Sequence, residues 1–345
     1  MSHLTGLFTP YSPPNRSLTE QEKRERLYQG QLHPDNPLIN DNDTVIKMNS
    51  TYLETVDKHY SVKGFPSLIS FGIAVTLLCI MGFGSYRVIE AHHLRNEPLG
   101  YSLLVINSII GLIIFVSLKI TLKEWFIKTH YPIRFNRKNK MVYIFQVDGT
   151  VLSVPWDSVF FTITGGNKWG IVGHILADDN ERILKTFNLA IFEPKSNLPG
   201  YWEFIRCYME EDVLKQIQKT IFLCPPISER KEGYIFGLQY LTRVDTKYDW
   251  IFRLPFFLYS MLEAFSRYIA MQTSKIPQWP EEVERECQID FDDPIDVSYK
   301  NNIPYVWRYV LAGLKKKDHL QFYKQRGLAV RRIRRKVTRH HKAKE

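Results

Sequence analysis

The chain has 345 residues, a net charge of +10, 14% aromatic residues and four cysteines, which leaves room for one or two ordinary domains beside any membrane segment. Cys79, Cys207, Cys224 and Cys287 are far apart and form no CxxC or CxxH pair, which argues against a disulfide scaffold and against a cysteine-held zinc site. The charge is uneven: residues 324–345 hold ten lysines or arginines against one acid, net +9, so the rest of the chain carries only +1.

Residues 1–62 read as an N-terminal cytoplasmic segment. Prolines stand at 10, 13 and 14 with no basic-then-apolar run, so no signal peptide is expected. Residues 19–28 suit a short charged helix, and the Asn/Asp-rich stretch at 36–43 suits an irregular surface segment. In NSTYLETVDKHY (49–60), Asn49 or Ser50 is placed to cap a short amphipathic helix with Leu53, Val56 and Tyr60 on one side.

Residues 63–120 predict a two-helix transmembrane hairpin. FPSLISFGIAVTLLCIMGFGSY (65–86) and LGYSLLVINSIIGLIIFVSL (99–118) contain no Asp, Glu, Lys or Arg, and each is as long as the roughly 20 residues a bilayer core requires. Three lysines or arginines lie at 45–64, two in the connector and seven at 119–140, so both ends are expected in the cytosol of a bacterial inner-membrane protein. Asn107, Gly111 and Gly72 are the expected hairpin-packing positions, with Asn107 read as interhelical glue rather than as lining of a conduction path.

Residues 121–224 change period. Trp125 suits headgroup depth. Short runs rich in Val, Ile, Phe, Tyr and Thr then follow at 133–136, 141–147, 150–156, 159–164, 168–177 and 182–192, each bounded by turn residues. Asp148-Gly149 predicts a two-residue type I′ hairpin, and Gly165-Gly166-Asn167 another turn. A closing helix follows, with Asn197 as cap, Pro199 in its first turn and Trp202, Ile205, Met209, Val213 and Ile217 at helical spacing. The expected class is α+β: the hairpin, a small antiparallel barrel or sandwich with a closing helix, and a mostly helical C-terminal region. Strands followed by one helix is the element order of a pleckstrin-homology-like domain, a topological likeness only.

The string YPIRFNRK (131–138), followed by a strand, an Asp-Gly turn and Val154-Pro155-Trp156, resembles a proteobacterial family of two-span inner-membrane proteins of unknown function. Residues 49–60, YWEFIRCYMEE (201–211) and WPEEVERECQID (279–290) resemble its other blocks, and the resemblance covers roughly residues 48 to 293. The matched positions include Pro132, Arg134, Asn136, Arg137, Trp156, Trp202 and Trp279, for which a structural role is expected. Members often lie beside genes for type VI secretion effectors, so the resemblance implies an immunity or accessory role and carries no catalytic residue.

Residues 225–314 predict an amphipathic helical region. At 250–271 Trp250, Leu254, Phe257, Leu258, Met261, Leu262, Phe265 and Ile269 form one stripe and Arg253, Glu263 and Arg267 another, which suits packing on the β-domain or lying on the membrane. The acidic segment at 277–294 reads as a solvated helix plus loop. In the polybasic tail at 315–345, Arg331, Arg332, Arg334, Arg335, Lys336 and Arg339 are the residues expected to meet an anionic leaflet. A merely solvated tail is the alternative, and no reader fold or aromatic platform favours nucleic acid.

There is no GxGxxG, GxxxxGK[ST], GxSxG or HExxH. His92-His93 and His340-His341 are weak metal candidates, because adjacent histidines on a helix point apart. No catalytic residue, metal or cofactor is expected. The expected function is a non-catalytic membrane-anchored protein that binds and neutralises a secreted effector; the alternatives are a membrane scaffold or lipid-sensing module and a membrane-damaging effector.

Overall fold

The computed structural model describes residues 15–35, 37–95, 101–165, 169–192, 195–221, 223–242, 254–302 and 316–343. The turn residues Gly166 and Asn167, Trp250 and Arg253 of the amphipathic stripe, and Lys315 lie outside them. In chain order the strands are β1 (Arg16–Ser17), β2 (Arg26–Leu27), β3 (Val45–Met48), β4 (Tyr52–Thr55), β5 (Ile133–Asn136), β6 (Met141–Phe145), β7 (Val151–Pro155), β8 (Val159–Gly165), β9 (Trp169–Leu176), β10 (Arg182–Phe192) and β11 (Val297–Ser298). The helices are α1 (Glu20–Arg24), α2 (Lys58–Val62), α3 (Phe65–Arg95), α4 (Tyr101–Trp125), α5 (Leu198–Glu210), α6 (Leu214–Ile217), α7 (Tyr234–Thr242), α8 (Leu254–Thr273), α9 (Glu281–Glu286) and α10 (Lys316–Lys342). Two compact units result. The β unit draws its described residues from Met1–Ser61, His130–Lys231 and Ile276–Glu345, and the helical unit from Val62–Thr129 and Glu232–Lys275.

The β unit holds two antiparallel sheets, ordered β1-β10-β9-β8-β2 and β11-β3-β4-β5-β6-β7. Neither closes into a barrel. After Pro155 a 3-10 turn, Trp156–Ser158, carries the chain out of the second sheet, and β8, β9 and β10 pair with one another and with the N-terminal strands. At the Asp-Gly turn only Gly149 has positive φ, +90°, so a type I′ hairpin does not form. Asp148 Oδ1 instead accepts from Thr150 N at 2.9 Å, and Gln146 N donates to Thr150 O at 2.8 Å across a longer loop.

The N-terminal segment departs furthest from expectation. Of the helix expected at 49–60 only residues 58–60 are helical, as the start of α2, and Tyr52–Thr55 is instead a strand that is buried throughout and pairs with β5 in the register Leu53↔Phe135 and Glu54↔Arg134. Asn49 does not cap a helix; its Oδ1 accepts from Thr51 N at 2.9 Å and Tyr52 N at 2.8 Å, turning the chain from β3 into β4. Around 19–28 the helix is only α1, held by a capping box between Thr19 and Glu22, and Arg26–Leu27 continue as β2.

α5 begins with Pro199 in its first turn, but Asn197 makes no side-chain capping bond. It ends at Glu210, so Val213 and Ile217 do not extend its stripe. Its face joins an aromatic core reached from both sheets. Trp202 stacks on Trp156 at 5.5 Å and lies 4.9 Å from Phe161 of β8, while Trp156 meets Phe135 of β5 at 6.0 Å.

In the helical unit α3 and α4 run antiparallel, as the Ser70–Thr121 (2.7 Å) and Asn107–Ser85 (2.9 Å) side-chain bonds show. Both helices are long and apolar enough to cross a membrane. The helix expected to pack on the β-domain or lie on the membrane is α8, which packs with α7, α3 and α4. A polar knot ties these elements. Glu124, in the last turn of α4, accepts from Gly64 N at 2.7 Å and Ser67 N at 2.6 Å and so caps α3. Lys63 Nζ donates to Lys128 O at 2.9 Å and Ser274 Oγ at 2.7 Å. Gly64 has φ +91°, and a Cβ there would overlap the backbone of Arg267.

Candidate functional site

α5 runs LPGYWEFIRCYME, and its i, i+3 and i+4 spacing sets Glu203 and Glu210 around Arg206, with Glu211 one residue beyond the helix. Arg206 is fully buried and bonds Glu203 at 2.8 Å, Glu210 at 3.2 Å and Glu211 at 3.1 Å. One guanidinium cannot neutralise three carboxylates, and the remainder is met by donors from distant parts of the chain. Glu210 accepts from Gly30 N at 2.9 Å and Trp156 Nε1 at 2.9 Å. Glu203 accepts from His33 N at 3.1 Å. Glu211 lies 2.8 Å from His340 Nδ1 and 3.0 Å from His341 Nε2. Burial pushes the Glu211 carboxyl up, but hydrogen bonds from His340, Arg206 and His341 outweigh it and hold the group below the usual carboxylate range.

The carbonyl end of α5 is closed by cations, as its dipole favours. Arg137 Nη1 donates to Tyr208 O and Glu211 O, both at 2.6 Å, and Lys140 Nζ to Met209 O. A cleft of about 240 Å³ opens beside this end, lined by Lys140, Trp156, Asp157, Glu210 and the two histidines, among others.

The histidines belong to α10, and their convergence on the two oxygens of Glu211 is the feature that sequence reasoning missed. Adjacent helical side chains diverge, yet a carboxylate with its oxygens turned apart accepts both. The signal available was the pairing of an acidic α5 terminus with a basic, histidine-bearing segment. α10 docks through Ala329, Val330, Ile333 and Val337, all buried, one stripe at helical spacing. At its other end Arg326 pairs with Asp41 at 3.7 Å. Burial, reinforced by Asp43 and opposed by Arg326, pushes the Asp41 carboxyl up to about 7. The expected lipid-contact residues Arg331, Arg332, Arg334, Arg335, Lys336 and Arg339 are all exposed on the remaining faces. This segment is therefore a docked amphipathic helix rather than a loose tail.

Of the family-motif positions, Arg134, Asn136 and Trp279 gather at a second place, while Arg137 serves the end of α5. Arg134 is buried, bonds Glu54 and, at 3.0 Å, Glu284, and lies between the rings of Tyr52 (4.5 Å) and Trp279 (4.6 Å). Trp279 Nε1 donates to Glu54 Oε2 at 3.2 Å. Asn136 Nδ2 donates to Glu286 O at 2.8 Å, while its Oδ1 accepts from Lys138 N at 3.0 Å. Pro132 O accepts from Phe145 N at 3.1 Å. The acidic segment is thus bound to the sheet, with Asp290 on Lys138 at 2.6 Å and Asp293 on Ser50 at 2.7 Å. These residues hold β4, β5 and α9 together, and Trp156 and Trp202 form the aromatic core.

In the hairpin Asn107 donates to Ser85. Gly72 and Gly111 are not packing positions: a Cβ at either would meet nothing within 4 Å. Close approach occurs instead near buried Ser70, Ala74, Ser117 and Thr121.

Residues 110–290, just over half of the chain, match the profile of a family of unknown function, DUF6708. The match includes YPIRFNRK, the α5 block and the α9 block. No curated protein and no solved structure matches.

Proposed function

The chain belongs to DUF6708, a family of unknown function, and from its exposed apolar helices we propose that it is a non-catalytic, bilayer-anchored interaction protein whose β unit presents the binding surface. The observation that carries this reading is that α3 and α4 are long, apolar and bare, with 17% and 6% of their most apolar stretches buried within the protein. Water would leave Leu104, Leu112 and Phe83, each more than 60% exposed, in contact with solvent, whereas lipid covers them. The distribution of lysines and arginines favours two crossings of a bacterial inner membrane with both ends in the cytosol.

The partner in this reading is a secreted effector delivered by type VI secretion, which the protein neutralises. What supports it is the resemblance carried by residues 131–138, 201–211 and 279–290, together with placement, since two crossings hold a binding surface where a membrane-acting toxin arrives. The test is deletion of the gene with and without the adjacent effector gene, scored as self-intoxication during contact with kin. The single deletion is expected to lose fitness and the double to recover it; equal fitness refutes the immunity role. Expression of the chain alone should leave the membrane potential intact, and depolarisation would favour the membrane-damaging effector instead.

A second reading rests on α10. Its exposed arginines suit anionic headgroups, each contributing on the order of 1 kcal/mol near the surface, and would make the protein a scaffold or lipid-sensing module of pleckstrin-homology-like type.

A further inference from the structure

α8 is built inside out. A helix on a water-soluble protein turns its apolar stripe inward and its charges outward. In α8 Leu258, Met261, Leu262, Phe265 and Tyr268, spaced to share one face, are 60%, 38%, 62%, 56% and 38% exposed. Among the described side chains of α8 the buried ones are Ala264, Ser266, Arg267, Ala270 and Met271. Arg267 is sealed within the helical unit on Glu232, with Nε to Oε1 at 2.6 Å and Nη2 to Oε2 at 3.0 Å. Ser266 Oγ donates to Gly64 O at 2.8 Å and lies 3.0 Å from Ser67 Oγ. Ser266 and Arg267 are thus turned into the helical unit beside small Ala264 and Ala270, while the large apolar side chains Leu258, Leu262 and Phe265 are turned out of it.

Two observations say what covers the outer face. α8 packs on α3 and α4, and its bonds reach residues 64–67, where α3 starts, while Ser274 meets Lys63 and Trp125 O, where α4 ends. Near those ends Phe65 and Ile69 of α3 and Leu122 of α4, with Phe126 just beyond it, are also exposed, so the stripe of α8 continues the apolar surface of the hairpin. The second observation is length: Leu254 to Leu262 is the longest uncharged stretch in α8, less than half of what a crossing requires. Apolar outside and too short to span is the pattern of a helix at the headgroup and acyl boundary.

We propose that α8 lies in the interfacial layer of the bilayer with Leu258, Leu262 and Phe265 among the acyl chains, as a third lipid-contacting helix beside α3 and α4. This rests on the reading that α3 and α4 cross the membrane. Its consequence is that α7 and α8 belong to the membrane-embedded part of the protein rather than to the binding surface.

The test is spin labelling of the full chain in phosphatidylethanolamine–phosphatidylglycerol vesicles. Cys79 is the exposed native cysteine and the other three are buried, so Cys79→Ser supplies the background. Labels are introduced by Leu262→Cys and Phe265→Cys, by Leu112→Cys in α4 as a reference for the hairpin, and by Glu282→Cys in exposed α9 as a reference for water. The expected result is collision with oxygen several-fold above collision with a water-soluble nickel chelate at 262 and 265, as at 112, and the reverse at 282. Nickel preference at 262 and 265 with oxygen preference at 112 puts α8 in water and overturns the proposal while the hairpin stands. Low collision with both at 262 and 265 puts protein over the stripe and overturns it equally. Nickel preference at 112 overturns the membrane-crossing reading, and the proposal falls with it.

Discussion

Arg267 and Glu232 form a two-point ion pair with both side chains sealed from solvent, and that pair fixes α8 to the segment that leads into α7. The guanidinium also reaches Lys63 O at 3.3 Å and faces the Tyr240 ring at 4.8 Å. Removing one partner of such a pair leaves an uncompensated buried charge, at a cost of about 3–5 kcal/mol. Glu232→Ala is therefore expected to lower the midpoint of thermal unfolding in detergent markedly, and Glu232→Leu combined with Arg267→Met to recover much of the loss. A double variant no more stable than the single one would show that the pair is not the source of the effect.

Arg134 has the corresponding place in the β unit. Arg134→Met leaves Glu54 buried between sheet and ring, and the same principle gives a loss of about 3–5 kcal/mol. Trp279, stacked on Arg134 and bonded to Glu54, should become mobile with it. The measurement is urea unfolding followed by tryptophan fluorescence, in which the variant should unfold at lower urea with a red-shifted native spectrum. Arg134→Lys should recover only part, because an ammonium lacks the planar fork that bonds two carboxylates and stacks on two rings.

Asp41 titrates against the fold. Its carboxyl is pushed up to about 7 by burial, above the roughly 3.9 of an unfolded chain, so the folded state favours the protonated form. Its contribution to stability is present below about pH 4 and is lost as pH rises toward 7. Asp41→Asn should stabilise the protein relative to wild type at pH 8 and leave it nearly unchanged at pH 4. Chemical denaturation at the two pH values checks this, and an unchanged difference between them would remove Asp41 as the cause.

The exposed face of α10 predicts a salt-sensitive interaction. With Arg331, Arg332, Arg335 and Arg339 all changed to Gln, the full chain in neutral-lipid discs should bind phosphatidylglycerol vesicles at least tenfold more weakly than wild type, since each cation contributes about 1 kcal/mol before screening. The buried stripe at Ala329, Ile333 and Val337 is untouched, so circular dichroism should not change. Equal binding by both proteins would end the lipid reading of this helix.

Gly64→Ala is expected to prevent accumulation of folded protein. The substitution strains a φ of +91° and drives a methyl group into Arg267, where no side chain can move aside. Its yield in membranes, compared with Gly72→Ala at an open position, separates local overlap from a general effect on the hairpin.

The sequence made some of this legible and hid the rest for identifiable reasons. Strands β5 and β10 begin and end where β-branched and aromatic runs do, because turn residues bound them. The uncharged runs of α3 and α4 are unmistakable at their length. β4 was hidden because Leu53, Val56 and Tyr60 fit a helical stripe, and only its position between β3 and β5, with both faces covered, decides for strand. The partners of Arg134 were hidden because Glu54 and Glu284 come from segments 80 and 150 residues away, a separation that no periodicity records. α8 was visible as amphipathic, but periodicity cannot say which stripe faces inward.

The pairing of β4 with β5, Thr55 opposite Ile133, has a kinetic meaning. These two neighbours are separated in the chain by the whole of α3 and α4, and β11 reaches β3, Met48 opposite Val297, only when most of the polypeptide exists. Of this sheet, β3 and β4 are synthesised first, and they must wait with their outer edges unpaired until α3 and α4 and the strands beyond them have been translated. A nascent chain stalled before residue 133 would display a bare strand edge, so on the proposal that α3 and α4 cross a bilayer, their insertion and the completion of this sheet become coupled steps of one biogenesis.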